Sequence, residues 1–193
     1  MKLFVSLLII VSSCVMYGQN KKITASTSVG YIVKGANING LETGGFSTTT
    51  AFEYKITERF WLTGSVDFQS ISFVRTLPKL EIDASLTSIP VMIGGKYFFE
   101  NKSKFRPFVN LSAGIAYMSI PNGSEEVTGK IKVFSEDKFP FTYLLGAGVE
   151  WKVKPTFFPY LQVDYQTFSN SDNIFSGNVV YIPIRIGVRT YPF

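Results

Sequence analysis

VVYIPIRIGVRTYPF, residues 179–193, is the stretch that decides the fold. Val180, Ile182, Ile184, Ile186 and Val188 fall on one face; Tyr181, Pro183, Arg185, Gly187 and Arg189 fall on the other. A period of two is a β-strand. One face is wholly aliphatic, the other carries two arginines, and the chain ends on an aromatic, Phe193. A soluble sandwich could carry such a strand once. Here the pattern recurs along the whole chain behind an apolar leader, which predicts a barrel that crosses a membrane with its strands.

The leader is MKLFVSLLIIVSSCVMYGQN. Lys2 starts it, an apolar run follows from Leu3 to about Val15, and small and polar residues close it. The run is shorter than the ~20 residues of a spanning helix, so residues 1–18 read as a signal peptide cut after Gly18. Val11-Ser12-Ser13-Cys14 also fits a lipobox with Cys14 acylated, although the apolar stretch continues through Val15 and Met16. Cys14 is the single cysteine, so cleavage before Gln19 leaves a chain without disulfides. Residues 19–193 are the length of one domain.

Eight alternating runs fill that domain: Ile23–Ile32, Gly45–Lys55, Phe60 to about Phe73, Leu86–Phe99, Pro107–Met118, Phe139–Val153, Pro159–Thr167 and the last strand. In each, one parity is large and apolar, as in Val109, Leu111, Ala113, Ile115 and Tyr117. The other parity is small or polar, as in Trp61, Thr63, Ser65, Asp67 and Gln69, or Asn110, Ser112 and Gly114. A narrow interior suits the small set and lipid suits the large one. A charge on the lipid face near the midplane costs ~2–4 kcal/mol, and nearly every mid-strand charge sits on the small-residue parity. The fold class is therefore all-β: an eight-stranded antiparallel transmembrane up-and-down barrel.

The connections support this. Ile56–Arg59, Glu100–Arg106 and Lys154–Phe158 are short, whereas Lys34–Gly44, about Val74–Ser85, Ser119–Lys138 and Phe168–Asn178 are longer. Outer-membrane barrels alternate short periplasmic turns with long outer loops. Aromatics cluster beside the short turns: Phe52, Tyr54, Phe60 and Trp61; Tyr97, Phe98, Phe99, Phe105 and Phe108; Trp151, Phe157, Phe158 and Tyr160; and Tyr191 and Phe193 at the same level. That clustering reads as an aromatic girdle at one interface.

The charges narrow the chemistry. The formal charge is +5, or +4 once Lys2 leaves with the leader, and no run of basic residues is long enough to form a patch, so nucleic acid is not an expected partner. The chain has no histidine, which excludes Ser–His and His–Asp mechanisms and a histidine-based metal site. Glu125-Glu126 and Glu136-Asp137 lie among lysines in the longest loop and read as solvated. Asn170-Ser171-Asp172-Asn173 lacks the remaining ligands of a calcium loop. No metal, cofactor or catalytic site is read, and the chain is not expected to be an enzyme. Glu53, Asp67, Glu150, Lys152, Asp164, Arg185 and Arg189 share the inward parity and are expected to form an ion-pair network in the lumen, since an unpaired buried charge costs several kcal/mol. A wet ion path lined by the same residues is the alternative.

Ser88-Ile89-Pro90-Val91-Met92-Ile93 leads to Lys96-Tyr97-Phe98-Phe99, and Pro107-Phe108 leads to Gly114-Ile115-Ala116-Tyr117. Leu145-Gly146-Ala147-Gly148-Val149-Glu150 and Phe193 follow. In order and spacing, the chain resembles the small OmpX/OmpA-like outer-membrane barrels, particularly the form common in Bacteroidetes. The resemblance implies export to the outer membrane of a Gram-negative cell and insertion by the barrel-assembly machinery through the strand ending at Phe193. It also implies contact with outer-membrane lipid or lipopolysaccharide, as a monomer. Enzymes among such barrels, the lipid A acylases and deacylases, use a catalytic histidine that is lacking here. The implied function is a membrane anchor with a filled lumen and displayed loops, for binding or envelope integrity. A narrow porin and an accessory barrel of a secretion system are the alternatives.

Overall fold

In the computed structural model, residues 22–33, 43–77, 80–100, 102–127, 130–169 and 179–191 are described. The leader, Cys14, Asn170–Asn173 and Phe193 lie outside them. The strands are β1 (Ile23–Val33), β2 (Thr43–Lys55), β3 (Phe60–Leu77), β4 (Leu80–Phe98), β5 (Phe105–Val127), β6 (Lys130–Lys138), β7 (Phe141–Trp151), β8 (Phe157–Phe168) and β9 (Val179–Thr190). All pairings are antiparallel, and the order β4-β3-β2-β1-β9-β8-β7-β5 closes through β4–β5. β6 stacks above β7 on the same edge of β5, separated from it by Phe139-Pro140, so eight positions surround the lumen.

Two expected loops are instead strand. β3 and β4 run on as a hairpin to Leu77 and Leu80, and β5 and β6 to Val127 and Lys130, well past the last β4–β5 pair, Thr87 with Ser119. A spanning strand needs only ~9–11 residues, and β5 has 23. The ladder therefore continues beyond the length a bilayer requires, and these extensions pair backbone to backbone outside it.

Parity decides inside from outside. Ile93, Leu111 and Ile186, on the large apolar parity, are 65%, 63% and 64% exposed on the outer surface. Their strand neighbours Met92, Asn110 and Arg185 are buried in the lumen. The girdle reading needs correction on the same ground. Phe52, Tyr54, Phe60, Tyr97, Phe99, Phe105, Trp151 and Phe157 do face outward. Trp61, Phe98, Phe108, Phe158 and Tyr160 have the opposite parity and point inward, where they are buried. Tyr191 keeps the inward parity of Arg189 and packs on Trp61 and Phe158, at 6.2 and 5.5 Å between ring centroids. Two of these large rings are accommodated in the narrow interior by a glycine on a neighbouring strand. Phe108 lies across from Gly148, and Tyr160 from Gly187; a Cβ on either glycine would fall 2.5 Å from the ring.

Candidate functional site: a layered lumen

Side chains fill the lumen in three layers. At the short-turn end, Trp61, Phe98, Phe108 and Tyr160 form a buried aromatic floor, joined by Phe158 and Tyr191. At the long-loop end, Ile32, Ile71, Leu86, Ala116, Met118, Phe168, Val179 and Tyr181 form an apolar cap. Polar and charged side chains fill the space between them.

Two ion clusters occupy that middle layer. In the one nearer the floor, Arg189 donates from Nε and Nη2 to the two carboxylate oxygens of Glu150, at 2.7 and 2.8 Å. Its Nη1 is 3.8 Å from Glu53. Arg106 donates to Glu150 at 2.6 Å, and Lys96 to Glu53. Thr24 and Ser26 hydroxyls complete the Glu53 shell at 3.5 and 3.3 Å. All three cations also lie against rings. The Arg189 guanidinium is 4.6 Å from the centre of Trp61 and 4.9 Å from Phe158. Arg106 is 3.8 Å from Phe98, and the Lys96 ammonium 5.0 Å from Phe108. Cation–π contacts of this kind gain strength where water is excluded. In the other cluster, Arg185 bridges two carboxylates, with Nη2 3.0 Å from Asp67 and Nη1 3.1 Å from Asp164. Gln162 donates to Asp164, and Gln69 to Gln166, both at 2.6 Å.

The structure thus brings together six of the seven residues read from the sequence: Glu53, Asp67, Glu150, Asp164, Arg185 and Arg189. Lys152 is the exception. β7 ends at Trp151, so strand parity no longer orients residue 152. Its side chain is exposed, and its N–H donates to the Lys104 carbonyl in the neighbouring turn. Water solvates a lone ammonium better than the lumen does. Sequence reading missed Lys96 and Arg106. Lys96 shares its parity with buried Ser88 and Met92, and Arg106 stands two residues before inward Phe108, so extending the alternation would have found both. With them, the layer holds four carboxylates and four cations: Glu53, Asp67, Glu150 and Asp164 against Lys96, Arg106, Arg185 and Arg189. The network needs no further ion for neutrality.

Among the described residues, the polar layer encloses a cavity of about 40 Å³ lined by Ser26, Ser28, Thr49, Thr63, Asn110 and Gln162, with Glu53, Lys96 and Arg185 at its wall. At ~10–15 Å³ per site it has room for roughly three waters. Among the described residues no three carboxylate, cysteine or histidine groups converge on a metal position.

No protein-family model matches the chain, and no curated protein does. Solved structures do. The chain is similar to the Neisserial surface protein NspA, with 14% identity, 90% of this chain and 99% of that one covered, and a TM-score of 0.59. It is similar to the outer-membrane protein OprG of Pseudomonas aeruginosa, with 9% identity, 90% and 98% covered, and a TM-score of 0.56. At such identities the likeness concerns the fold, and the chain has the fold of the small outer-membrane eight-stranded β-barrels.

Proposed function

We propose that the chain is a non-enzymatic integral outer-membrane protein whose filled barrel anchors the hairpins β3–β4 and β5–β6 above the bilayer. The observation that carries this reading is the three-layered lumen. A charge-balanced network lies between an apolar cap and an aromatic floor whose central residues are buried to within a few per cent. Such an interior is built for rigidity, and the long paired hairpins are its outward product. The outward apolar face supports residence in a bilayer. Insertion through the strand leading to Phe193, lipopolysaccharide around the barrel and a monomeric state belong to the same proposal.

Three measurements test it. Folded protein should migrate differently on gels before and after heating and should need detergent for extraction. Complete recovery in a detergent-free soluble fraction would remove the membrane reading. In planar bilayers the filled lumen should give no stable conductance step. A reproducible ohmic channel would replace the anchor by the narrow porin, for which the polar cavity would be the starting point.

A further inference from the structure

The lysines that look scattered in the sequence are gathered by the barrel at one rim. Lys102 and Lys104 stand in the β4–β5 turn, and Lys152 and Lys154 in the β7–β8 turn, all exposed. Pairing of β5 with β7 makes these turns neighbours, and the Lys152 N–H donates to the Lys104 carbonyl at 2.8 Å. Just above this bond Phe105 stands opposite Trp151, and their rings stack at 5.8 Å and 22°. Both rings are about half exposed on the outer face, at 52% and 47%, with Val153 beside them at 45%.

Among the described residues, no exposed acid is left free to cancel the four charges. The acids exposed at this rim among the described residues are Glu58 and Glu100, and they are bonded to Lys55 and Arg59. Glu150 is turned inward to Arg106 and Arg189. We propose that Lys102, Lys104, Lys152 and Lys154 form a binding site for anionic phospholipid headgroups beneath the Phe105–Trp151 stack. An aromatic pair sits at the headgroup level of a bilayer, and long lysine stems carry their ammoniums to the phosphates beside it. A cation at an anionic lipid surface gains about a factor of five in binding. The lipid-facing rings favour a headgroup over an acidic soluble protein, which would have no use for apolar side chains at the bilayer edge. The inference rests on the membrane reading above and adds a partner and a place to it.

The chain supplies its own reporter. Of its two tryptophans, Trp61 is enclosed in the lumen at 1% exposure and Trp151 is at the site. The folded protein is placed in phosphatidylcholine vesicles containing a minor share of phosphatidylglycerol. Bromine is carried on the chains of one lipid or the other, at equal share. Brominated phosphatidylglycerol should quench Trp151 as if enriched about fivefold to tenfold around it. The preference should vanish in the variant K102Q/K104Q/K152Q/K154Q, whose barrel is checked by its heat-modifiable band. It should also weaken as salt shortens the screening length from about 10 Å at 0.1 M to about 3 Å at 1 M. Equal quenching by both lipids overturns the inference and leaves the membrane reading intact. A preference that survives the quadruple substitution also overturns it. Absence of quenching by either lipid, together with loss of the heat-modifiable band, removes the membrane reading itself.

Discussion

At the long-loop end of the lumen, Phe168, Tyr181, Ile32, Ile71 and Met118 fill the barrel with apolar side chains. At the short-turn end, Trp61, Phe98, Phe108 and Phe158 fill it around three cations, Arg189, Arg106 and Lys96. The cap relies on dispersion and removal from water. The floor relies on rings that both fill volume and offer a negative face to charges held by Glu53 and Glu150. A cap residue is therefore replaceable by another hydrophobe of its size. A floor cation is not replaceable, because its removal disturbs rings and carboxylates together.

The largest effect should come from Arg189→Met. The substitution keeps length but takes the bidentate partner from Glu150 and the second cation from Glu53. Removal of one member of such a buried network costs ~3–5 kcal/mol. Urea unfolding in lipid vesicles measures it, and a loss under about 1 kcal/mol would show that water reaches the floor. Phe168→Ala tests the cap. Phe168 is fully buried and packs edge-on against Tyr181 at 5.3 Å. The expected loss is ~3 kcal/mol from burial and cavity terms, and Phe168→Leu should recover most of it. An equal recovery by leucine at Phe98, against which Arg106 stacks, would erase the distinction between cap and floor.

Asp164→Asn should cost less, about 1–2 kcal/mol, because Arg185 keeps Asp67 at 3.0 Å. The pair D67N/D164N strips Arg185 of both carboxylates, and its loss should exceed the sum of the single losses by ~1 kcal/mol or more. Strict additivity would mean that Arg185 finds another anion or water. The smallest contrast is between two glycines. A Cβ at Gly146 would lie 2.0 Å from Asp164 Oδ1 and 2.1 Å from Asn110 Oδ1, whereas one at Gly64 meets nothing within 4 Å. Gly146→Ala should lose ~1–3 kcal/mol by overpacking the ion layer. Gly64→Ala should change stability by no more than ~0.5 kcal/mol. A costly Gly64→Ala would mean that the outer face is packed against something other than lipid.

Side-chain direction was legible wherever a strand is embedded, because lipid on one side and a narrow lumen on the other force every second residue inward. Glu53, Asp67, Glu150, Asp164, Arg185 and Arg189 were found on that rule, and it reaches Lys96 and Arg106 as well. It failed in two ways. Lys152 lies one residue past the end of β7, where parity has no force. The rule was also stopped short at the hairpins above Thr87 and Ser119, where strand pairing continues; in β4 the alternation of Leu80, Ile82 and Ala84 with Glu81 and Asp83 runs through a stretch read as loop. Trp61 shows a third limit. Its parity pointed inward while its place beside a short turn suggested the girdle, and parity won because backbone pleat fixes direction and sequence neighbourhood does not.

By itself the sequence determined the closed all-β architecture, the face turned to lipid and the inward set. Each of these follows from local alternation under a solvent that penalises charge. Only the tertiary structure decided the partners. Arg185 meets an Asp67 that is 118 residues away, and Arg189 meets Glu150 rather than Asp164, the inward carboxylate nearest to it in sequence. Those choices depend on strand register and on which side chains reach across the lumen at one height. Alternation fixes the face of a residue but carries no information on its height relative to a distant strand.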